Sequence, residues 1–600
     1  LPADISRLKK ALEDLGDVEN AAHKALNRLD QVVRGLEELT RKQADKPEIK
    51  IDPIGSDLTE KGSQLQNAMD ALLDSGEALN QLLSDSADTL IADLKAVNNQ
   101  FRSITNLIRS EKSDWNQDQS KSKEDQIRDH FQDLSDSCTP AKQHDGRISA
   151  SENKGEITGS TNLGGIVGSV GIEIDFDPDG DTTKVGNYSL DFHYQTRALL
   201  TGCTNSGTIT GRNDYAGGIV GQAYIGQLTD CQSYGAVSTD GSYVGGIAGQ
   251  LRIDGTVTGN GDTTNSGAVT IEQMEYSTED IIALGGVVGH QLGKVSNTVN
   301  SGAVTVSASP ASGGTIAWKV RCLGGISGLL GEIGKTYAGA SVAGSKNLAL
   351  VKQERTTVRS NGMPAYVGGI VGYIYESAAS VSGCTNSGEV NNDYYNNNID
   401  FDAAESTKRT NCTGGIVGAA STLGEPNVIS SCSNSGLIPI YRGIGGGVVA
   451  YADGVGIRDC TNTSSFPTSN RNGVTGGVAG QVLNAQIEGC LNKALVFADG
   501  AGDAVTGIVG DLGENSAVRG SKHYGVVYPK IYGSTAKPEY KVLTSGGIAG
   551  VSAKGTVIEN CGFGGQLKGA DDAHTFEMKL GNICSDTNFT GSGNTLWDGK

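Results

Sequence analysis

The chain reads as a multidomain α plus β protein: an N-terminal α-helical coiled-coil hairpin followed by a parallel β-helix (β-solenoid) of about twelve coils. Three observations carry this reading. Apolar side chains recur every three to four residues over 1–138. From 148 onward a Gly-Gly-Ile-Val-Gly phrase repeats almost to the C-terminus. Cysteine and asparagine fall at a fixed place relative to that phrase. Residues 139–147 read as the linker between the two regions.

In the first region Ile5, Leu8, Leu12, Leu15, Glu19, Ala22, Leu26, Leu29, Val33 and Leu36 form a heptad seam with one polar member. Pro47 and Pro53 mark a break. A second helix is expected over 56–112, with Ser56 and Asp57 at its start as capping residues. The spacing of four and four around Leu83 is a stutter that locally relaxes the supercoil. At 1.5 Å per residue this helix would be on the order of 80 Å long, longer than the first, so part of its seam needs another partner. A short third helix over 124–135, carrying Ile127, Phe131 and Leu134, is the expected one. The alternative is a parallel stalk in which the helices make the chain a homo-oligomer.

In the second region copies of the phrase begin at Gly164, Gly217, Gly245, Gly285, Gly324, Gly368, Gly414, Gly446, Gly476 and Gly546, with weaker ones at Thr506 and Gly581. Self-similarity at a period near thirty residues signals one structural unit per repeat, stacked on its neighbours. Each unit offers three short β-branched segments between Gly/Asn turns, the pattern of a three-stranded β-helix coil. Ile166, Ile219, Ile247, Ile326, Ile370, Ile416 and Ile548 are expected to stack as an interior ladder. With strands about 4.8 Å apart, the rod would be on the order of 60 Å long.

Cys203, Cys231, Cys384, Cys432, Cys460, Cys490 and Cys561 open the same position of a coil, with Thr264 and Thr298 substituting elsewhere. Asn205, Asn300, Asn386, Asn434, Asn462 and Asn492 follow two residues later, as turn residues whose amides stack from coil to coil. In-register parallel strands hold equivalent Cβ atoms about 4.8 Å apart and pointing the same way, a poor disulfide geometry. No Cys-X-X-Cys pair offers a zinc site. The thiols are therefore expected to be free, buried and packed as small hydrophobes.

A net charge of −20 argues against nucleic acid, which demands concentrated Lys and Arg. No signal peptide and no run of eighteen apolar residues is present. The expectation is an ectodomain that meets a membrane only through an anchor outside this chain.

Most length variation precedes the Gly-Gly-Ile-Val-Gly phrase, in segments 271–284, 306–321, 352–366, 391–411 and 529–544. Such insertions would emerge from one edge of the rod, where solenoids often bind. Two loops stand out. Asp175, Asp177, Asp179 and Asp181 alternate through a Gly-containing loop, like the first half of a calcium site, although Gly186 stands where a complete loop has Glu. Calcium is the one cofactor this suggests. Asp393, Tyr394, Tyr395, Asp400 and Asp402 combine acceptors with aromatic rings and are the candidate ligand-binding residues.

Catalytic signatures are missing: there is no His-Glu-X-X-His, no Gly-X-Ser-X-Gly and no phosphate loop. The expectation is a protein that is not an enzyme. Its rival is a glycan-degrading β-helix, whose paired carboxylates a sequence alone does not reveal.

The segments Gly165–Gly168, Gly218–Gly221, Gly369–Gly372 and Gly415–Gly418 resemble the GLUG motif, a repeat similar to that of Gram-positive surface proteins, including immunoglobulin A metalloproteases. The resemblance covers about 148–600. The protease's zinc motif is missing here, so that activity does not carry over. The resemblance implies an extracellular, cell-surface solenoid of a Gram-positive bacterium. Together these readings make the chain a β-solenoid adhesin on a helical stalk, whose partner is a host or bacterial surface protein or a glycan. A structural spacer or docking component of an envelope complex is the alternative.

Overall fold

The computed structural model describes residues 147–170 and 198–599, apart from internal segments of which 308–319, 394–410 and 531–543 are the longest, and three separate strand segments at 131–133, 182–185 and 189–194. The residues expected to form the two long coiled-coil helices lie outside the described residues. The chain divides into two units, one of Leu1–Ser137 with Glu173–Gln195 and one of Cys138–Ile172 with Thr196–Lys600.

In the first unit Phe131–Asp133 is a β-strand. It runs parallel to Ser189–Tyr194, which pairs antiparallel with Thr182–Val185. This corrects the expected third helix over 124–135. The spacing of Ile127, Phe131 and Leu134 fits a helical face, but so short an apolar set does not discriminate, and pairing with a segment some sixty residues away decides the conformation.

The second unit is a parallel β-solenoid. Its coils carry up to five short strands, not three. The second coil runs Ala198–Thr201, Thr204–Asn205, Ile209–Gly211, Ala216–Gly217 and Val220–Ala223. Two extra bends account for the difference. The Gly-Gly-Ile-Val-Gly phrase is no single strand: it turns at its second glycine and splits into a fourth and a fifth strand. A second bend precedes the Cys position, where the backbone adopts positive φ coil after coil, as at Gly202 (60°), Asp230 (54°), Ser431 (53°) and Gly489 (64°).

The first strands of successive coils form a twelve-stranded sheet, which sets the number of coils, and the fourth and fifth strands each form an eleven-stranded sheet. The third-strand sheet has seven members and stops at Val390–Asn392. Pairing is in register, as in Val220↔Ala248 and Val371↔Val417.

One core lies inside the first and fifth sheets, where Ile219, Ile247, Ile326, Ile370, Ile416 and Ile548 are fully buried as expected, while Ile166, in the first coil, is only partly buried. Another fills the space between the third and fourth sheets, with Ile209, Val237, Val244 and Leu284. A third, partly aromatic layer joins the fourth and fifth sheets through Tyr243, Cys322 and Tyr373. The asparagines form the expected ladder. Asn386 Nδ2 donates to Asn434 Oδ1 (2.8 Å), Asn434 to Asn462 (3.0 Å) and Asn462 to Asn492 (3.0 Å).

The ten described cysteines are free and buried. Those at the start of the second strand do more than pack: Cys460 Sγ lies within donating reach of the carbonyls of Arg458 (3.2 Å) and Ile429 (3.7 Å). Thr264, Thr298 and Ser345 fill the same place with hydroxyls, so the position selects a small hydrogen-bond donor.

The weak copy at Gly581 closes the rod. Ile583 O accepts from both Ile548 N and Ala549 N (3.0 Å each), and Thr595–Leu596 adds a last strand against Gly562–Lys568. Among the described residues there is no α-helix, and none is long and apolar enough to cross a membrane.

Candidate ligand-binding edge

Every long insertion named from the sequence joins a third-strand position to a fourth strand. The segment between Val269–Ile271 and Ile281–Gly285 does so, as do those between Val304–Val306 and Val320–Gly324, between Val351–Gln353 and Ala365–Gly368, and between Val390–Asn392 and Cys412–Gly414. In-register pairing of the flanking strands therefore stacks the loop roots along one edge. Asn391 and Asn392 prove to be buried strand residues, so the loop once bounded at 391 begins at Asp393.

Of the predicted ligand-binding residues, Asp393 is half-buried at the root of its loop, where its N–H donates to Gln353 O (3.0 Å). Tyr394, Tyr395, Asp400 and Asp402 lie outside the described residues. So do Asp175, Asp177, Asp179 and Asp181, and with them the calcium expectation. Among the described residues no group of three or more His, Cys, Asp or Glu side chains is placed to hold a metal ion.

Beside the loop roots runs a stripe that the sequence reading missed. Two columns of side chains face each other across the bend of the Gly-Gly phrase. One, two residues before its first glycine, runs Tyr215, Tyr243, Ala283, Cys322, Tyr366, Cys412 and Ile444. The other begins Gln222, Gln250, His290, Leu329, Tyr373, Ala419, Tyr451, Gln481 and Asp511. Aligning the repeats on the phrase would have exposed both columns. Their chemistry varies while their place does not, so a reading keyed to recurring residues passed over them.

The stripe holds two aromatic groups. Tyr215 and Tyr243 stack at 5.4 Å between ring centroids, and Tyr243 and His290 at 4.9 Å. A hydrogen-bond chain fixes the histidine: Gln222 donates to Gln250, Gln250 Nε2 donates to His290 Nδ1 (2.8 Å), and His290 Nε2–H donates to Gly331 O (2.8 Å). That order assigns the neutral Nε2–H tautomer. Farther along, Tyr366 lies 4.5 Å from Tyr373, and Tyr373 5.6 Å from Tyr375. Burial pushes the Tyr366 hydroxyl well above its usual range, and does the same to Tyr373 against the opposing hydrogen bond from Ser421. Tyr375, Tyr451, Gln481 and Asp511 are half-buried, which leaves an aromatic and amide-bearing surface in reach of solvent.

A polar nest underlies the loop roots. Arg321, 1% exposed, occupies the place that Ile282 holds one coil earlier. Nearby, Asn392 Nδ2 donates to Ala365 O (3.1 Å) and Ala365 N to Asn411 Oδ1 (3.0 Å). Tyrosine faces with amide and carboxylate groups suit a polar ligand with apolar patches, such as a sugar or a peptide.

Residues 364–391 match the family model described as the GLUG motif. The match spans one turn of the solenoid, from the fourth strand of one coil to the third strand of the next. No curated protein and no solved structure matches the chain.

Proposed function

We propose that this chain, which carries the GLUG motif, is a non-enzymatic ligand-binding solenoid of a bacterial cell-surface protein. In this reading its N-terminal helices form a stalk, and its looped edge docks a surface protein or a glycan. One observation carries the proposal: the long insertions rise from a single corner of the coil, next to the half-exposed Tyr375, Tyr451, Gln481 and Asp511. A spacer would need neither loops gathered on one edge nor an aromatic stripe beside them.

The test is binding of the full chain to arrays of glycans and matrix proteins, with calcium and with chelator. Saturable binding that falls at least tenfold on deletion of 394–410 or in Tyr451→Ala supports a ligand-binding edge. Calcium dependence would implicate Asp175–Asp181. Absence of binding by folded protein would leave a structural spacer as the better account.

A further inference from the structure

Glu376 ends the fifth strand Val371–Glu376 and turns inward at the corner leading to the next coil. Its side chain is fully buried. Oε1 receives one long hydrogen bond, from Ala340 N at 3.5 Å, and Oε2 has no partner. Among the described residues no cation pairs with it. A carboxylate in such a place has lost its water and gained almost nothing in return, so the neutral acid is the form the fold tolerates.

Among the described residues few charged groups stand near enough to change this. On the strand one coil earlier, Gly331 pairs with Tyr375, which puts Glu332 at the matching place, a second acid. On the coil after, the partner of Glu376 is the neutral Thr422. The strand Ser341–Ala343 and the corner at Ala378–Ser380 present no charged side chain, and Glu425 touches that corner through its main-chain carbonyl, which accepts from Ala378 N. Burial raises the Glu376 carboxyl to about 7.

The same strand carries Tyr373 and Tyr375 into the aromatic stripe. We propose that Glu376 is a proton-operated latch: as a neutral acid it seats the end of the tyrosine-bearing strand against the Ala340 corner, and on ionisation it releases that corner. The inference concerns local opening and stands whether or not the stripe binds a ligand. The sign follows from the upward shift. The latch is fully closed below the ordinary carboxylate range, near 4.5, weakens as pH rises, and reaches its limit above about 7.

Hydrogen exchange read by mass spectrometry on the full chain tests this, comparing wild type with Glu376→Gln at each pH so that the intrinsic exchange rate cancels. The glutamine keeps an acceptor for Ala340 N and cannot ionise. Between pH 5 and pH 8 the exchange of segments 339–344 and 371–382 in wild type should rise relative to Glu376→Gln by on the order of tenfold or more. Segments around Ile219, several coils away, should show no such divergence. A wild-type to variant ratio that stays constant over this range would overturn the latch. Should Glu376→Gln unfold, the pH dependence within wild type, corner against distant coil, decides: divergence supports the latch and parallel behaviour overturns it.

Discussion

Gly369, the second glycine of its Gly-Gly phrase, lies directly against the side-chain amide of Asn386 one coil later. A Cβ there would overlap that amide and the carbonyl oxygen of Gly415. The relation recurs for Gly286 with Asn300, Gly415 with Asn434 and Gly447 with Asn462. The two most conspicuous repeats in the sequence are therefore one device. The asparagine ladder can stack only because the neighbouring bend carries no side chain. Gly369→Ala should lower stability by about 3 kcal/mol through overpacking, read by chemical denaturation. A loss below about 0.5 kcal/mol would mean that the bend yields and the contact is incidental.

The ladder itself is the next test. Asn434 accepts from Asn386, donates to Asn462, and donates to Gly436 O within its own turn (3.2 Å). Asn434→Ala leaves one N–H of the Asn386 amide and the main-chain N–H of Gly436 without an acceptor, while Asn386 still donates to Gly388 O and Asn462 Oδ1 still accepts from Ser464 N. Each orphaned group costs about 1–3 kcal/mol. The expected loss exceeds that of a surface Asn→Ala exchange severalfold. Equal losses at the two places would show that the ladder adds nothing beyond ordinary turn chemistry.

The cysteine position predicts a contrast. Ser345 already donates to Ala343 O (3.1 Å) at the place where Cys460 reaches Arg458 O. Cys460→Ser should accordingly change stability by less than about 1 kcal/mol, while Cys460→Val, which removes the donor and widens the side chain, should cost about 1–3 kcal/mol. Burial raises the Cys561 thiol to about 11, so this thiol stays protonated and unreactive toward alkylation at neutral pH. The reverse order of the Ser and Val variants would return these residues to the role of plain apolar filler.

Much of this architecture was legible in the sequence because a solenoid repeats its physics. The apolar ladder through Ile219 and Ile416, the asparagine stack and the free thiols all follow from residues that recur at fixed offsets. The number of strands per coil was not legible, because the same glycines serve equally as flexible strand positions and as bends. Phe131 was misread because three apolar residues at helical spacing say nothing of a strand far along the chain. The aromatic stripe escaped for the opposite reason to the ladder: Tyr243, Cys322 and Tyr373 share a place and not an identity.

The backbone before the cysteine position offers a stabilising change. Ser431 sits at φ 53°, where Gly383 and Gly489 occupy the equivalent bends at 61° and 64°. A residue bearing a Cβ pays roughly 1 kcal/mol in this left-handed region. Ser431→Gly relieves that strain and also loosens the unfolded chain, so the net gain should be a few tenths to about 1 kcal/mol. A melting temperature that falls in this variant would place the Ser431 side chain among the contacts that hold the corner.

At His523 the ladder passes from amide to imidazole, and this gives the rod an acid-sensitive point. Asn492 Nδ2 lies 3.0 Å from His523 Nδ1, so the ring accepts there and carries its proton on Nε2, which is buried without a partner. Burial pushes the imidazole down to about 4. A folded-state value below the unfolded one of 6.5 means that the unfolded chain takes up the proton first. Stability from this residue is therefore complete above pH 6.5 and is lost as pH falls toward 4. The loss amounts to about 3 kcal/mol at 1.36 kcal/mol per unit. His523→Asn continues the ladder with a group that does not titrate. Its unfolding free energy should stay flatter than that of wild type between pH 7 and pH 4. If both chains lose stability equally over that interval, the acid sensitivity lies in some other group and His523 is already solvated in the folded rod.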